Sequence, residues 1–293
     1  MRAFFECYPC LVRQAYDVTM KYCPDENSRV AVMKRIFGEI ATAREWASTP
    51  ELAGAIYRIL GEAAGARDLF QNEKEYFNRE MMKLEDDLGN VIARSADRFL
   101  TAVRLAAAGN IIDFGVLRHV DKETVMEAIR TAESKQIDRN ALESLRSDLA
   151  GAGVLLYIGD NAGEIVFDKV LVSYIREEFP HLEVYFGTRG APIVNDATPD
   201  DARLVGLDSL ATIVSNGTAL PGVVLSKCSQ EFRAVFDSAD VIISKGQGNF
   251  EALKGETRRN IYFLFTCKCD LITRTMGLKK LDLVLLREDR GGE

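Results

Sequence analysis

The sequence predicts an α/β protein in which a doubly wound, mainly parallel sheet follows a helical N-terminal domain. From Cys7 to about Ala108, apolar residues recur at spacings of three and four, the period of helices with one buried face. From Gly153 onward, short and nearly continuous apolar runs alternate with helical segments, the mark of parallel strands covered on both faces. A chain of 293 residues, 47% hydrophobic and 28% charged, has room for one large or two moderate cores.

Taken in order, the helical half contains "CLVRQAYDVTMKYC", "SRVAVMKRIFGEIATAREW", "ELAGAIYRILGEAAG" and "LGNVIARSADRFLTAVRLAAAGN". Ala, Leu, Arg and Glu dominate these stretches, all good helix formers. Asp25, Glu26 and Asn27 mark the start of the second helix, and Thr49-Pro50 opens the third. "DKETVMEAIRTA" and "DRNALESLRSDLAGAG" then form a helical bridge. This places a helical domain at 1–115 and an α/β domain at 116–293, with the bridge at about 116–150.

The strands are read in "VLLYIG", "LEVYFGT", "ATIVSNG", "DVIISKG", "NIYFLFTC" and "LDLVLLRE". Between them lie "NAGEIVFDKVLVSYIREEF", "DDARLVGL" and "KCSQEFRAVFDSA", which read as helices and complete a Rossmann-like arrangement. Ligands of such sheets bind beyond the carboxyl ends of the strands. The polar residues at those ends are Gly159-Asp160-Asn161, Thr188-Arg189, Ser215 to Thr218, Lys245 to Asn249, and Lys268. Together they form one rim of acid, amide, glycine and lysine.

Asp160, Asn161 and Asp196 offer hard oxygen donors suited to Mg²⁺ or Mn²⁺. "SKGQGNFE" brings glycines that let backbone N–H groups approach an anion, and Lys245 and Lys268 add positive charge. Metal, anion cradle and lysine are the requirements of phosphoryl transfer. Each piece alone has a plainer explanation: Asp160-Asn161 and Asp196 as helix caps or Asx turns, "GQG" as a turn, Lys268 as a solvated strand end. Their convergence on one sheet edge favours the site.

A net charge of −7 argues against a sequence-independent nucleic-acid binder. No run approaches the roughly 20 apolar residues of a membrane span, and "MRAFFECYPC" is unlike a signal peptide, so a cytoplasmic location is expected. With only His119 and His181, a histidine-rich metal site or a Ser-His-Asp triad has almost no material to draw on.

"CYPC", "GDNAGE", "NDATPDD", "SKGQGNFE" and "TCKC", in that order across essentially the whole chain, resemble the DUF89 family of metal-dependent damage-control phosphatases. The CxxC pair with "KGQGN" resembles its first, largely prokaryotic subfamily. The resemblance implies a helical domain joined to a Rossmann-like domain, and hydrolysis of phosphate from damaged or surplus phosphometabolites, sugar phosphates included. It implies a divalent metal (Mg, Mn, Co or Ni) held by Asp160, Asn161 and Asp196, with Asp160, Glu164, Lys245 and Lys268 as catalytic residues. Gln247, Gly248, Asn249 and Glu251 would contact phosphate or substrate. Other branches carry Arg-Thr-x-Lys where this chain has Phe265-Thr266-Cys267-Lys268, so their substrates do not carry over.

Two mechanisms stay open, direct attack by Asp160 or attack by water at the metal. "GDNAG" lacks the second aspartate of Asp-x-Asp, against a haloacid-dehalogenase phosphatase. The partner expected is a small phosphorylated metabolite, with no nucleic acid and no membrane, and oligomerisation is compatible with the sequence. Cys7, Cys10 and Cys269 offer a second metal or redox site, with a disulfide pair or inert buried thiols as alternatives. Asn110 and Asp113 end a long helix, either facing the interdomain cleft or closing a C-terminal turn. The rival functions are a non-catalytic nucleotide- or metabolite-binding regulator and a CxxC scaffold.

Overall fold

The computed structural model describes residues 1–110, 122–257 and 259–288. The expected boundary at 115/116, together with Asp113 and His119, lies outside the described residues. Among the described residues, eight helices precede the first strand: α1 (Cys7–Tyr22), α2 (Glu26–Thr42), α3 (Thr49–Ala64), α4 (Gln71–Met82), α5 (Glu85–Arg94), α6 (Arg98–Gly109), α7 (Lys122–Ser134) and α8 (Arg139–Gly151). Strands and helices then alternate: β1 (Val154–Ile158), α9 (Glu164–Glu178), β2 (Glu183–Thr188), α10 (Pro199–Leu204), β3 (Thr212–Ser215), α11 (Gln230–Ser238) and β4 (Val241–Lys245). The chain continues through α12 (Gln247–Leu253), β5 (Ile261–Thr266), α13 (Asp270–Met276) and β6 (Leu283–Glu288).

The starts follow from side-chain chemistry. Asp25 accepts the Ser28 N–H at 3.0 Å ahead of α2. Ser48 and Glu51 form a reciprocal capping box with Pro50 in the first turn of α3. The single helix expected from Leu88 to Asn110 is two, because the Asp97 carboxylate accepts the Leu100 N–H and starts α6 afresh after Ser95. α4 falls within the stretch read as helical but outside its four named segments, and α13 is a helix that the sequence reading leaves unassigned.

The strand order is β3-β2-β1-β4-β5-β6, parallel except for β6, which pairs antiparallel with β5. Chain direction across the sheet reverses between β1 and β4, so the loops after these strands diverge to open a crevice. Side chains alternate across the sheet. Leu155 and Tyr157 pack with α4 to α9, whereas Leu156 and Ile158 pack with α11 to α13. The helices α1, α2 and α3 close on a core of their own around Ala15, Ile36 and Ile56. That unit touches the sheet mainly where α3 meets α12, beside the crevice.

Candidate active site

The loop after β1 carries Asp160 to Gly163 directly into α9, and the loop after β2 carries Arg189 to Thr198 into α10. The two loops zip together: Ala197 N–H donates to the Asp160 carbonyl at 2.8 Å, and Ala162 N–H donates to the Asn195 carbonyl at 2.9 Å. Asn161 and Asp196 thereby form an isolated antiparallel bridge. The expected oxygen donors Asp160, Asn161 and Asp196 are thus neighbours, although 36 residues separate Asp160 from Asp196 in sequence.

Arg189, 1% exposed, stands behind them. Its Nε donates to Asp196 Oδ2 at 2.6 Å, Nη2 to Asp160 Oδ1 at 3.2 Å and Nη1 to Asn249 Oδ1 at 2.9 Å. Asp160 Oδ2 accepts from Asn161 Nδ2 at 2.9 Å and more loosely from Asn110 at 3.4 Å. Glu164 Oε2 accepts from Asn110 at 2.8 Å and from Asn161 at 3.0 Å. Because both carboxylates take the Asn161 NH₂ group, the Asn161 carbonyl oxygen is the end left for a ligand. Asn110 therefore does face the crevice.

Lys245 occupies a different place from the one expected. It is fully buried, and its ammonium donates to the Ala106 carbonyl at 2.8 Å, Glu164 Oε1 at 2.7 Å and Asp168 Oδ1 at 2.5 Å. An ammonium has three donors, so none is left for a phosphate. Asn249 is likewise buried and saturated, accepting from Arg189 and the Val223 N–H while donating to the Lys245 and Gly159 carbonyls. These two residues hold the crevice floor rather than line the opening.

Asp160, Asn161, Asp196, Asn110, Gln247, Gly248, Glu251 and Lys268 do line one cleft of about 680 Å³. Gln247 Oε1 accepts the Lys268 and Cys269 N–H groups at 3.3 and 3.2 Å, while its Nε2 donates to Glu251. This fixes the backbone that carries Lys268 over the opening. The glycine loop passes so near the acids that a Cβ on Gly246 would fall 2.0 Å from Asp160 Oδ2, and its φ of +78° itself suits glycine. Cys7, Cys10 and Cys269 line the same cleft, and all six cysteines are free thiols.

Charge at the floor is unbalanced. Among the described residues, four carboxylates, from Asp160, Glu164, Asp168 and Asp196, are hydrogen-bonded by two cations, Arg189 and Lys245. Burial, aided by Asp196 and Glu164, pushes the Asp160 carboxyl well above the ordinary range. Burial also raises Asp196 despite Arg189, and raises Asp168 to about 7 despite Lys245. Burial opposes ionisation of Glu164 as well, but the Lys245 ammonium and the two asparagine amides outweigh it and lower its pKa. A divalent cation fits this deficit. Among the described residues no three His, Cys, Asp or Glu side chains are arranged to hold a metal by themselves. The oxygens that could serve a hard cation here are those of Asp160, Asp196 and the Asn161 carbonyl, and such ions accept water and substrate at their remaining positions.

Asp160, Asn161, Asp196 and Lys268 were legible in the sequence as a set. Arg189 was read only as part of the rim, and Asp168 was not singled out. Arg189 did stand on the strand-end rim, and its position before Gly190 in the loop facing "GDN" was the available signal. Asp168 is one turn beyond Glu164 on the same helix face, a spacing that marks a shared partner.

Residues 3–284 match the family described as the damage-control phosphatase ARMT1-like domain. The chain is 33% identical to a damage-control phosphatase of Pyrococcus horikoshii, covering 98% of each protein. It is 29% identical to one of Archaeoglobus fulgidus over 95% of this chain and 96% of that protein. The crystal structure of the DUF89 family protein from Pyrococcus horikoshii superposes with a TM-score of 0.86 at 32% identity, over 98% of this chain and 99% of that one.

Proposed function

Because the chain belongs to the damage-control phosphatase ARMT1-like family, we propose that it hydrolyses phosphate monoesters of small metabolites, sugar phosphates among them, with a divalent cation. The observation that carries this reading is the excess of acid among the described residues at the β1–β4 crevice, where Asp160 and Asp196 share one guanidinium that takes one oxygen of each. A divalent cation bound there supplies charge neutralisation for a nonbridging phosphate oxygen.

The side chains of the chain itself have distinct tasks. Arg189 sets the spacing of Asp160 and Asp196 by holding one oxygen of each. Glu164, kept ionised by Lys245, works through Asn161 by turning the amide so that its carbonyl faces the cleft. Lys268, whose backbone N–H is held by Gln247, lines the cleft with Arg274 and Lys280 and is the cation we assign to the phosphate. Lys245 acts indirectly, by maintaining the charge of Glu164. Two roles stay open for Asp160: direct attack on phosphorus, or holding the cation that would supply the attacking water.

The test is phosphate release from a panel of sugar phosphates and a generic aryl phosphate, with Mg²⁺, Mn²⁺, Co²⁺, Ni²⁺ or EDTA, comparing wild type with Asp160→Ala. Turnover that needs the cation and disappears in the variant supports the proposal. Ligand binding with no turnover under any cation would replace it with the regulatory reading.

A further inference from the structure

The helix α4 lies outside the cleft, yet its polar residues reach the catalytic loops. Asn78 is fully buried. Its Oδ1 accepts the backbone N–H of Gly163 at 2.6 Å, and its Nδ2 donates to Asp201 Oδ1 at 3.0 Å. The other oxygen of Asp201 accepts from the Thr198 N–H at 2.9 Å, the Thr198 hydroxyl at 2.7 Å and the Lys74 ammonium at 3.0 Å. Lys74, 4% exposed, is held from the far side by Asp68 at 2.8 Å.

The line Asp68, Lys74, Asp201, Asn78, Gly163 thus ties one helix to both loops that carry the oxygen donors. Gly163 is the hinge of the first loop, with φ +80° and ψ −51°, and no side chain of its own caps α9. Asn161 lies two residues before it and Glu164 one after, so rotation about Gly163 would redirect both. Asp201 fixes the second loop by capping α10 five residues beyond Asp196. A buried polar chain of this kind, here of five residues, is tolerated only when its members are satisfied, and Lys74, Asp201 and Asn78 each have a partner on both sides.

We propose that Asn78 is a positioning residue of the active site: its amide, oriented by Asp201, anchors the Gly163 N–H and so sets the aim of Asn161 and Glu164. It touches neither substrate nor cation. The proposal rests on the phosphatase reading for its kinetic consequences but not for the anchoring itself.

Three measurements on Asn78→Leu test it, with Met81→Ala as the control that thins the core under the same helix without touching the polar chain. In Asn78→Leu, hydrogen exchange of a peptide covering 159–168 accelerates at least tenfold, Mn²⁺ affinity read from the free-ion paramagnetic resonance signal falls at least fivefold, and kcat falls at least tenfold with KM within threefold. In Met81→Ala, the melting temperature drops while Mn²⁺ affinity and kcat stay within twofold. Asn78→Leu that merely lowers the melting temperature, like the control, overturns the assignment. If wild type neither binds Mn²⁺ nor releases phosphate, the phosphatase reading fails on its own; unchanged exchange at 159–168 in Asn78→Leu still overturns the anchoring role.

Discussion

Replacing Arg189 by methionine is the sharpest test of the electrostatics. The guanidinium is 1% exposed and is the cation hydrogen-bonded to both Asp160 and Asp196, themselves buried. Removing one partner of a buried ion pair costs about 3–5 kcal/mol, because the other charge stays buried without compensation. For a chain of this size each kcal/mol moves the melting temperature by roughly 2 °C, so a fall of about 6–10 °C is expected. The two carboxyls can relieve part of this by binding protons, and burial already raises both in the wild type. With Arg189 gone they rise further. An acid whose folded pKa is raised holds more protons folded than unfolded, so its stabilising contribution is lost as pH increases. The deficit of Arg189→Met must therefore be smaller at pH 5 than at pH 8. Urea titrations followed by circular dichroism in EDTA at both pH values give the two differences. A loss below about 1 kcal/mol at pH 8, or one that does not change with pH, would refute the account of a charge-deficient floor.

Three further outcomes follow from the same geometry. Cation and protons compete for Asp160 and Asp196, so the rise in melting temperature caused by millimolar Mn²⁺ should grow from pH 5 to pH 7.5 and vanish in Asp160→Asn, as read by differential scanning fluorimetry. Asp168, with its pKa raised to about 7 chiefly by burial, favours the protonated fold; its contribution is lost as pH climbs through 7, so Asp168→Asn should gain melting temperature on wild type more at pH 8 than at pH 5.5. Gly246→Ala must push Asp160 aside, since the added Cβ would lie 2.0 Å from its Oδ2, and kcat should fall on the order of 100-fold in a steady-state phosphate-release assay while the protein stays folded.

Much of the architecture was legible because period-two and period-3.6 patterns are local. The six described strands fall inside the runs read from sequence, and the crevice follows from their alternation with helices. What was not legible depends on distance. Lys245 ends a strand like any rim residue, but the strand's pleat turns it inward to Glu164 and Asp168 on α9, 81 and 77 residues away. Asn249 sits in a glycine-rich segment that suggests ligand contact, yet its amide is consumed by four partners around Arg189. Asn78 gave no signal at all, because a lone asparagine on an amphipathic helix is ordinary and its importance lies in the turn it meets. The helix break at Ser95 was written in Asp97, three residues before Leu100, but the surrounding apolar spacing masked it.

The helices α1, α2 and α3 have a separate core, and yet Cys7, Cys10, Leu11 and Gln14 of α1 form one wall of the cleft whose floor belongs to the sheet. Under the proposed function, reaction and fit would fall to different parts of the chain. The acids, Arg189 and Lys245 answer to the packing of the strands, where a change in one residue disturbs many. The α1 wall answers mainly to the small helical bundle, whose core takes in Ile193 from the loop after β2. Selection can remodel that wall, and with it the range of molecules admitted, without passing through intermediates that have lost the chemistry. A lineage built this way can diverge in what it accepts while its catalytic floor stays constant.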